Sequence, residues 1–332
     1  MATRREVAQL AGVSVATVSN VLNRSKRVTP EVTHRVLEAA EALNYRPNLL
    51  ARSLATGESR HVVMLVDSLI NPRSAELLAG AQAAASENGY LLSVAAVRPG
   101  DPRGLRELVS RGVDGVLIAP TCDHPRITEQ LDPDLTAVRV DPCAVDFNPA
   151  MDDLLRHLRD LGHERIAFLG GVAAQSAEQP RYSAWRAAMA RAGLEIDSAL
   201  ILDIPADSPA DEAEGQRAMA GLLKRSAPFT AVCAVSDQMA LGAIRALARA
   251  GFSVPHDISV IGCDHLRALA GLTPFLTSID ARTFDLGGRL FGHLLSVLRS
   301  QTEPRSPLPA RYIPGETTAC AAACAAGELL PR

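Results

Sequence analysis

Long apolar runs are absent from this chain of 332 residues. No stretch approaches the roughly 18 uninterrupted apolar residues that a membrane-spanning helix needs, and Met1 to Leu10 carries no apolar segment of the kind a secretory signal uses. A cytoplasmic protein with no membrane partner is expected. Paired cysteines are also missing: the six thiols, at 122, 143, 233, 263, 320 and 324, include no CxxC. Three of them fall inside or beside apolar runs, which suits small buried side chains. Cys320 and Cys324 share a helical spacing in CAAAC without a nearby histidine or acid, so no metal site is expected there. The chain has no GxGxxG between a strand and a helix and no GxxxxGK[ST], and GGRLFG at 287–292 follows no clear buried strand. It also has no GxSxG elbow and no HExxH. Those absences remove nucleotide-dependent, hydrolase and zinc-protease chemistry, and with them any expectation of an enzyme or a cofactor.

The composition, 47% hydrophobic and 21% charged, is that of a globular protein long enough for about two or three packed units. A net charge of −3 conceals an uneven split. Residues 1–60 hold nine Lys and Arg against five Glu, and the remainder holds 25 basic against 32 acidic residues. A basic head therefore precedes an acidic body, and a basic head points to nucleic acid.

Within the head, Thr3 and Glu6 form a T-x-x-E capping box before Val7, Leu10 and Ala11, and Gly12 breaks the helix. Ser14 caps a second helix, with Val18, Val21 and Leu22 facing inward and Val15, Ala16, Thr17, Ser19 and Asn20 toward its N-terminal and outer faces. A third fits Thr29 as cap, Pro30 at the first helical position, and Val32, Val36, Ala40 and Leu43 as buried stripe. Two short helices joined by a tight glycine turn make a helix-turn-helix, whose second helix is narrow enough for the major groove. An ordinary helical hairpin is the alternative, but it needs neither the basic bias nor the exposed Ser, Thr and Asn.

EVAQLAGVSVATVSNVLN followed by RVTPEVTHRVLEAAEALNYRPNLLARSL resembles the N-terminal module of the LacI/GalR family of bacterial repressors nearly residue for residue. The resemblance implies a DNA-contacting set of Thr3, Ser14, Val15, Ala16, Thr17, Ser19, Asn20, Asn23, Tyr45, Asn48, Arg52 and Leu54. It also implies that Asn48–Leu54 is a hinge helix forming on the operator, with Leu54 wedged into the minor groove. So short a helix is not stable alone in water, which fits ordering on DNA. Family members often carry Arg where this chain has Asn20. Arg pairs with guanine and Asn with adenine, so an altered half-site is expected; contact with phosphate alone is the other reading of Asn20.

From His61 onward, apolar runs alternate with helical stretches: HVVMLV, YLLSVAAV, DGVLIA, RIAFLG, LILDI, FTAVCAV and ISVIGC. The alternation predicts parallel strands with crossover helices, among them 75–87, 151–161, 183–192 and 238–250. NPRSAELLAG, RGVDGVLIAP, LGHERIAFLGG, AVSDQMALGAIRAL and VPHDISVIGCD are similar to the family's effector domain, a periplasmic-binding-protein-like fold of two α/β lobes closing on a ligand. The expected organisation is a helix-turn-helix head at 1–47, a hinge and linker at 48–59, and a two-lobed effector and dimerisation domain at 60–332.

Carried over by position, the effector residues are Arg73, Ser74, Gln175, Arg181 and Asp237. The alternative for Arg181 and Asp237 is a salt bridge between the lobes. Arg73 and Ser74 stand where the family usually has aromatics, and no aromatic occurs between Trp185 and Phe229. Stacking of a flat sugar or base face is therefore not expected, and an anionic sugar phosphate or acid paired with Arg73 and Arg181 is. Two further departures are a short 140–145 connection and Gly315 in place of an Arg. Together these features predict a homodimer that binds a palindromic double-stranded operator and answers to a sugar, sugar phosphate or acid. A constitutive DNA binder with a degenerate cleft is the other reading.

Overall fold

The computed structural model describes residues 2–23, 27–45, 57–66, 68–97, 112–119, 131, 135–139, 144–171, 180–204, 210–225, 227–271, 274–301 and 306–321. The chain divides into two compact units, Met1–Arg60 and His61–Arg332. The expected hinge, with Asn48, Arg52 and Leu54, lies outside the described residues, as does Gln175.

In the first unit, α1 (Arg4–Ala11) starts at the expected capping box. Glu6 N–H donates to Thr3 Oγ1 at 3.4 Å, and Thr3 N–H donates to Glu6 Oε2 at 2.7 Å. Gly12 ends the helix at φ +64°, a left-handed turn that glycine adopts without a Cβ penalty. The second helix, α2 (Val15–Asn23), and the third, α3 (Pro30–Ala42), pack with α1 around Val7, Val18 and Val36, each wholly buried. Thr29 occupies the cap position of α3 without the expected side-chain cap. Its carbonyl accepts from Thr33 Oγ1 at 3.0 Å, and Pro30 removes one of the N–H groups a cap would serve.

The second unit is built on two main sheets. The first has the order β2-β1-β3-β4, with β1 His61–Val66, β2 Leu91–Ala96, β3 Gly115–Ile118 and β4 Ala137–Arg139, all parallel. A short β5 (Val145–Asp146) leads into the second sheet. Its strands β6 (Ile166–Gly171), β7 (Ile201–Asp203), β8 (Ala231–Ala234), β9 (Ser259–Asp264) and β10 (Thr277–Asp280) run parallel in the order β10-β9-β8-β6-β7. The chain then returns to the first lobe, pairs β11 (Leu308–Pro309) with β5, and ends as β12 (Arg311–Ile313), antiparallel to β10 at the sheet edge. All seven apolar runs of the sequence reading contribute strands. The short β4 and β5, together with β10 and β12, were not anticipated, because none shows a long apolar run or clear alternation.

The covering helices are α4 (Pro72–Glu87), α5 (Asn148–Asp160), α6 (Pro180–Arg191), α7 (Glu212–Leu223), α8 (Asp237–Arg249) and α9 (Thr283–Leu298). The GGRLFG segment lies inside α9, where its first glycine makes a helix contact. A Cβ on Gly287 would collide with the Leu77 carbonyl of α4, and one on Gly80 of α4 with the Phe284 carbonyl of α9. The second lobe repeats the device, Gly215 of α7 lying against Met239 and Gly242 of α8 against Glu212. Glycine at such a crossing lets two backbones touch. The few aromatics concentrate in the second lobe, where Phe168 lies 5.0 Å from Trp185 and 5.2 Å from Tyr182 between ring centroids.

The last described segment seals that lobe. Val260 and Thr317 exchange bonds, Val260 N–H donating to the Thr317 carbonyl at 2.8 Å and Thr317 Oγ1 to the Val260 carbonyl at 2.6 Å. Gly315 lies against the backbone of residues 275–277, which explains why no arginine stands there. Among the described residues no helix is long and apolar enough to cross a membrane.

Candidate DNA-reading face and effector site

The head presents α2 with its apolar side inward and the expected reading residues outward. Ser14 Oγ accepts the Thr17 N–H at 3.0 Å and shares a hydrogen bond with Thr17 Oγ1 at 2.9 Å, so this pair caps the helix. Thr3, Ser14, Val15 and Ala16 are exposed, while Thr17, Ser19 and Asn20 are half-buried. Asn23 ends the helix. Tyr45 accepts a bond from Arg4 Nε at its hydroxyl, 3.2 Å away, which ties the chain after α3 back to α1. A small, polar helix face of this kind can approach base edges in the major groove.

In the body, the effector candidates gather at the carboxyl ends of parallel strands, where α/β folds bind ligands. Arg73 follows β1 in the first turn of α4, whose cap Asn71 Oδ1 accepts the Arg73 N–H at 3.0 Å. Asp237 follows β8 at the start of α8, and Asp264 closes β9. Arg181 comes from the first turn of α6, across the same strand ends. Ser74 is buried beside Arg73.

The carboxylate that organises this cluster is Asp264, which the sequence reading did not single out. Its side chain is 3% exposed and its Oδ1 accepts from Arg181 Nη2, while Arg73 Nε lies 3.5 Å from the same oxygen. The expected alternative, a salt bridge between Arg181 and Asp237, is corrected. Arg181 and Asp237 both belong to the second lobe, and Arg181 spends its second nitrogen on the Val235 carbonyl at 2.9 Å. Asp237 is engaged elsewhere, Oδ1 accepting from Ser278 Oγ at 2.6 Å and Oδ2 from Leu266 N–H at 2.9 Å. The links between lobes are Arg73 with Asp264 and Glu76 with Arg267, the latter at 3.3 Å. Phe147, also not anticipated, places its ring 5.5 Å from the Arg181 guanidinium carbon. A carboxylate ending an apolar strand and an aromatic just before an NP helix start were the available signals.

Burial works against the Arg181 charge, but Asp264, Cys263 and Asp237 outweigh it and hold its pKa above the usual value. Asp237 is pushed up to about 6, first by burial and then by the neighbouring Asp264. Because its ordinary value is near 3.8, the native state takes up this proton before the unfolded chain does as pH falls. Asp237 therefore adds stability as pH drops through about 6, and that contribution fades as pH rises through it. Relative to Asp237→Asn, the parent should gain stability between pH 7 and pH 5 in urea unfolding. Parallel pH profiles for the two proteins would contradict this.

Residues 3–48 match the family described as bacterial regulatory proteins, lacI family, and residues 155–318 match a periplasmic binding protein-like domain. The ribose operon repressor of Escherichia coli (strain K12) is 36% identical over 302 residues, covering 86% of this chain and 90% of that protein. This chain belongs to the LacI family of bacterial regulatory proteins. The HTH-type transcriptional repressor PurR of Pasteurella multocida (strain Pm70) is 29% identical over 323 residues, 92% of this chain and 95% of that one. Among solved structures, the lac repressor dimer bound to operator and the anti-inducer ONPF superposes with a TM-score of 0.75 at 25% identity. The match covers 96% of this chain and 99% of that one. A transcriptional regulator CelR–cellobiose complex superposes at 0.64 with 27% identity, covering 96% and 100%.

As a member of the LacI family the chain is a DNA-binding transcriptional regulator, with a helix-turn-helix head and a periplasmic-binding-protein-like body. The relatives are transcriptional repressors rather than enzymes. A LacI-family cleft in which Arg73 and Ser74 take the place of rings leaves Phe147 as an aromatic beside the charged cluster.

Proposed function

We propose that this LacI-family chain is a repressor that binds a palindromic operator as a homodimer. In this reading, its affinity for the operator is set by a sugar or sugar derivative at Arg73, Ser74, Arg181, Asp237 and Asp264. The observation that carries the effector reading is the convergence of Arg73 from one lobe and Arg181 from the other on Asp264. A ligand that inserts hydroxyls between these groups, or offers an anionic group to Arg73, replaces the link between lobes with its own bonds. It thereby favours one closure state over the other. The cluster presents guanidinium donors and carboxylate acceptors side by side, which suits a polyol. Arg73 is the more accessible guanidinium, with its side chain 31% exposed against 11% for Arg181, and is the one available to a phosphate or carboxylate group. A coupling of about 1 to 3 kcal/mol between ligand and DNA is typical of such regulators.

The head residues already named, with Asn48, Arg52 and Leu54 in the hinge, make the DNA contacts in this reading. A dimer follows from the geometry of recognition, since one helix-turn-helix covers only a few base pairs and a twofold protein matches a palindrome. The test is selection of sites from random duplex DNA by the full-length protein, with and without a panel of sugars, sugar phosphates and sugar acids. We expect a palindrome whose half-sites change in Asn20→Arg toward guanine, and whose occupancy responds to one member of the panel. Selection that enriches nothing at low and moderate salt would overturn the repressor reading.

A further inference from the structure

The first turn of α2 has spent its polar atoms internally. Ser14 Oγ and Thr17 Oγ1 bond each other at 2.9 Å, and Ser14 Oγ also accepts the Thr17 N–H at 3.0 Å. The two side chains between them, Val15 and Ala16, are apolar and exposed. Val15 is 44% exposed, and of the large exposed apolar side chains in the head, Leu10, Val15 and Leu37, it alone lies on α2. Its neighbour Ala16 is small enough to let the helix approach closely. Val18, three residues on, is fully buried, so the helix is fixed in rotation with Val15 directed away from the core.

We infer that Val15 reads the 5-methyl group of a thymine in each half-site, an inference that rests on α2 being the DNA-reading helix. In the major groove, guanine displays two acceptors, cytosine a donor, adenine a donor and an acceptor, and thymine an acceptor and a methyl group. Valine has no hydrogen bond to offer any of these. Set against a G·C edge it strips water from polar atoms and returns nothing, and set against thymine it covers the one apolar group the groove presents. Asn20, one turn further along, has the amide that pairs with adenine, so both positions favour A·T pairs and the half-site is A·T-rich where the helix enters.

The experiment takes the palindrome selected by the full-length protein and replaces each dT in turn, symmetrically in both half-sites, with dU, which removes only the methyl group. Affinities are then measured for the parent, Val15→Ala and Val15→Ile. At one position the parent should lose about fourfold per half-site, the value for one apolar carbon removed from water. Val15→Ala should show no difference between dT and dU there, and Val15→Ile should keep the difference. Retention by Val15→Ile also shows that loss in Val15→Ala is not a general failure of the head. A parent indifferent to dU at every position, or a Val15→Ala protein with the parent's full dependence, would overturn the inference while leaving α2 as the reading helix. Failure to select any palindrome would overturn both.

Discussion

Arg181→Ala should lower the stability of the larger unit by about 3 to 5 kcal/mol, the cost of leaving a buried carboxylate without its partner. Asp264 is almost wholly buried, and Arg181 is the cation in closest contact with it. Arg73 stands at 3.5 Å with a more exposed guanidinium, so it compensates only in part. The same substitution frees the Val235 carbonyl and removes the cation from the Phe147 ring. Urea unfolding followed through Trp185 reports the effect directly, because that single tryptophan is buried in the same helix, four residues away. The loss should be specific to the pair: Asp264→Ala combined with Arg181→Ala should be less damaging than the sum of the two, with a coupling of about 2 kcal/mol in the cycle. An unchanged midpoint in Arg181→Ala would show that Asp264 does not depend on it. Effector response should vanish in the single variant as well, since the cluster loses the guanidinium that orders Asp264.

Gly287→Ala should cost about 3 kcal/mol or more, a large penalty for one methyl group. The added carbon meets the Leu77 carbonyl and lies 2.8 Å from the Ala81 nitrogen, both backbone atoms of α4, so no rotamer change relieves it and the two helices must part. Gly292→Ala provides the control on the same helix. That position is exposed with nothing within 4 Å of a new Cβ, and there alanine should stabilise by about 0.5 to 1 kcal/mol through helix propensity. Opposite signs for two identical substitutions five residues apart, read from thermal unfolding, would establish close helix contact as the reason. Equal effects would refute it.

Much of the candidate reading face was legible in the sequence because it is local. The T-x-x-E box, the glycine stop and the Ser14 cap each involve groups within a few residues of one another, so their spacing carries their geometry. Strand positions in the body were legible too, since fully buried parallel strands leave continuous apolar runs. Helix α9 was obscured. The glycines that its crossing with α4 requires look like a phosphate loop or a break when seen without α4. Thr29 shows the opposite failure, a residue of the right type at the right position whose side chain makes no cap bond.

The sequence by itself determined the two-part plan, the basic helix-turn-helix head, the α/β body and Arg73, Ser74, Arg181 and Asp237 as effector candidates. These follow from period, capping and composition, and from motifs that span a few residues each. Only the tertiary structure decided which charges meet. Arg73, Arg181 and Asp264 are separated by long stretches of chain and converge because β1, β8 and β9 end on one side of their sheets. Coulomb energy depends on distance in space, so the partner of Arg181 was fixed when the second sheet formed and brought Asp264, not Asp237, to its guanidinium.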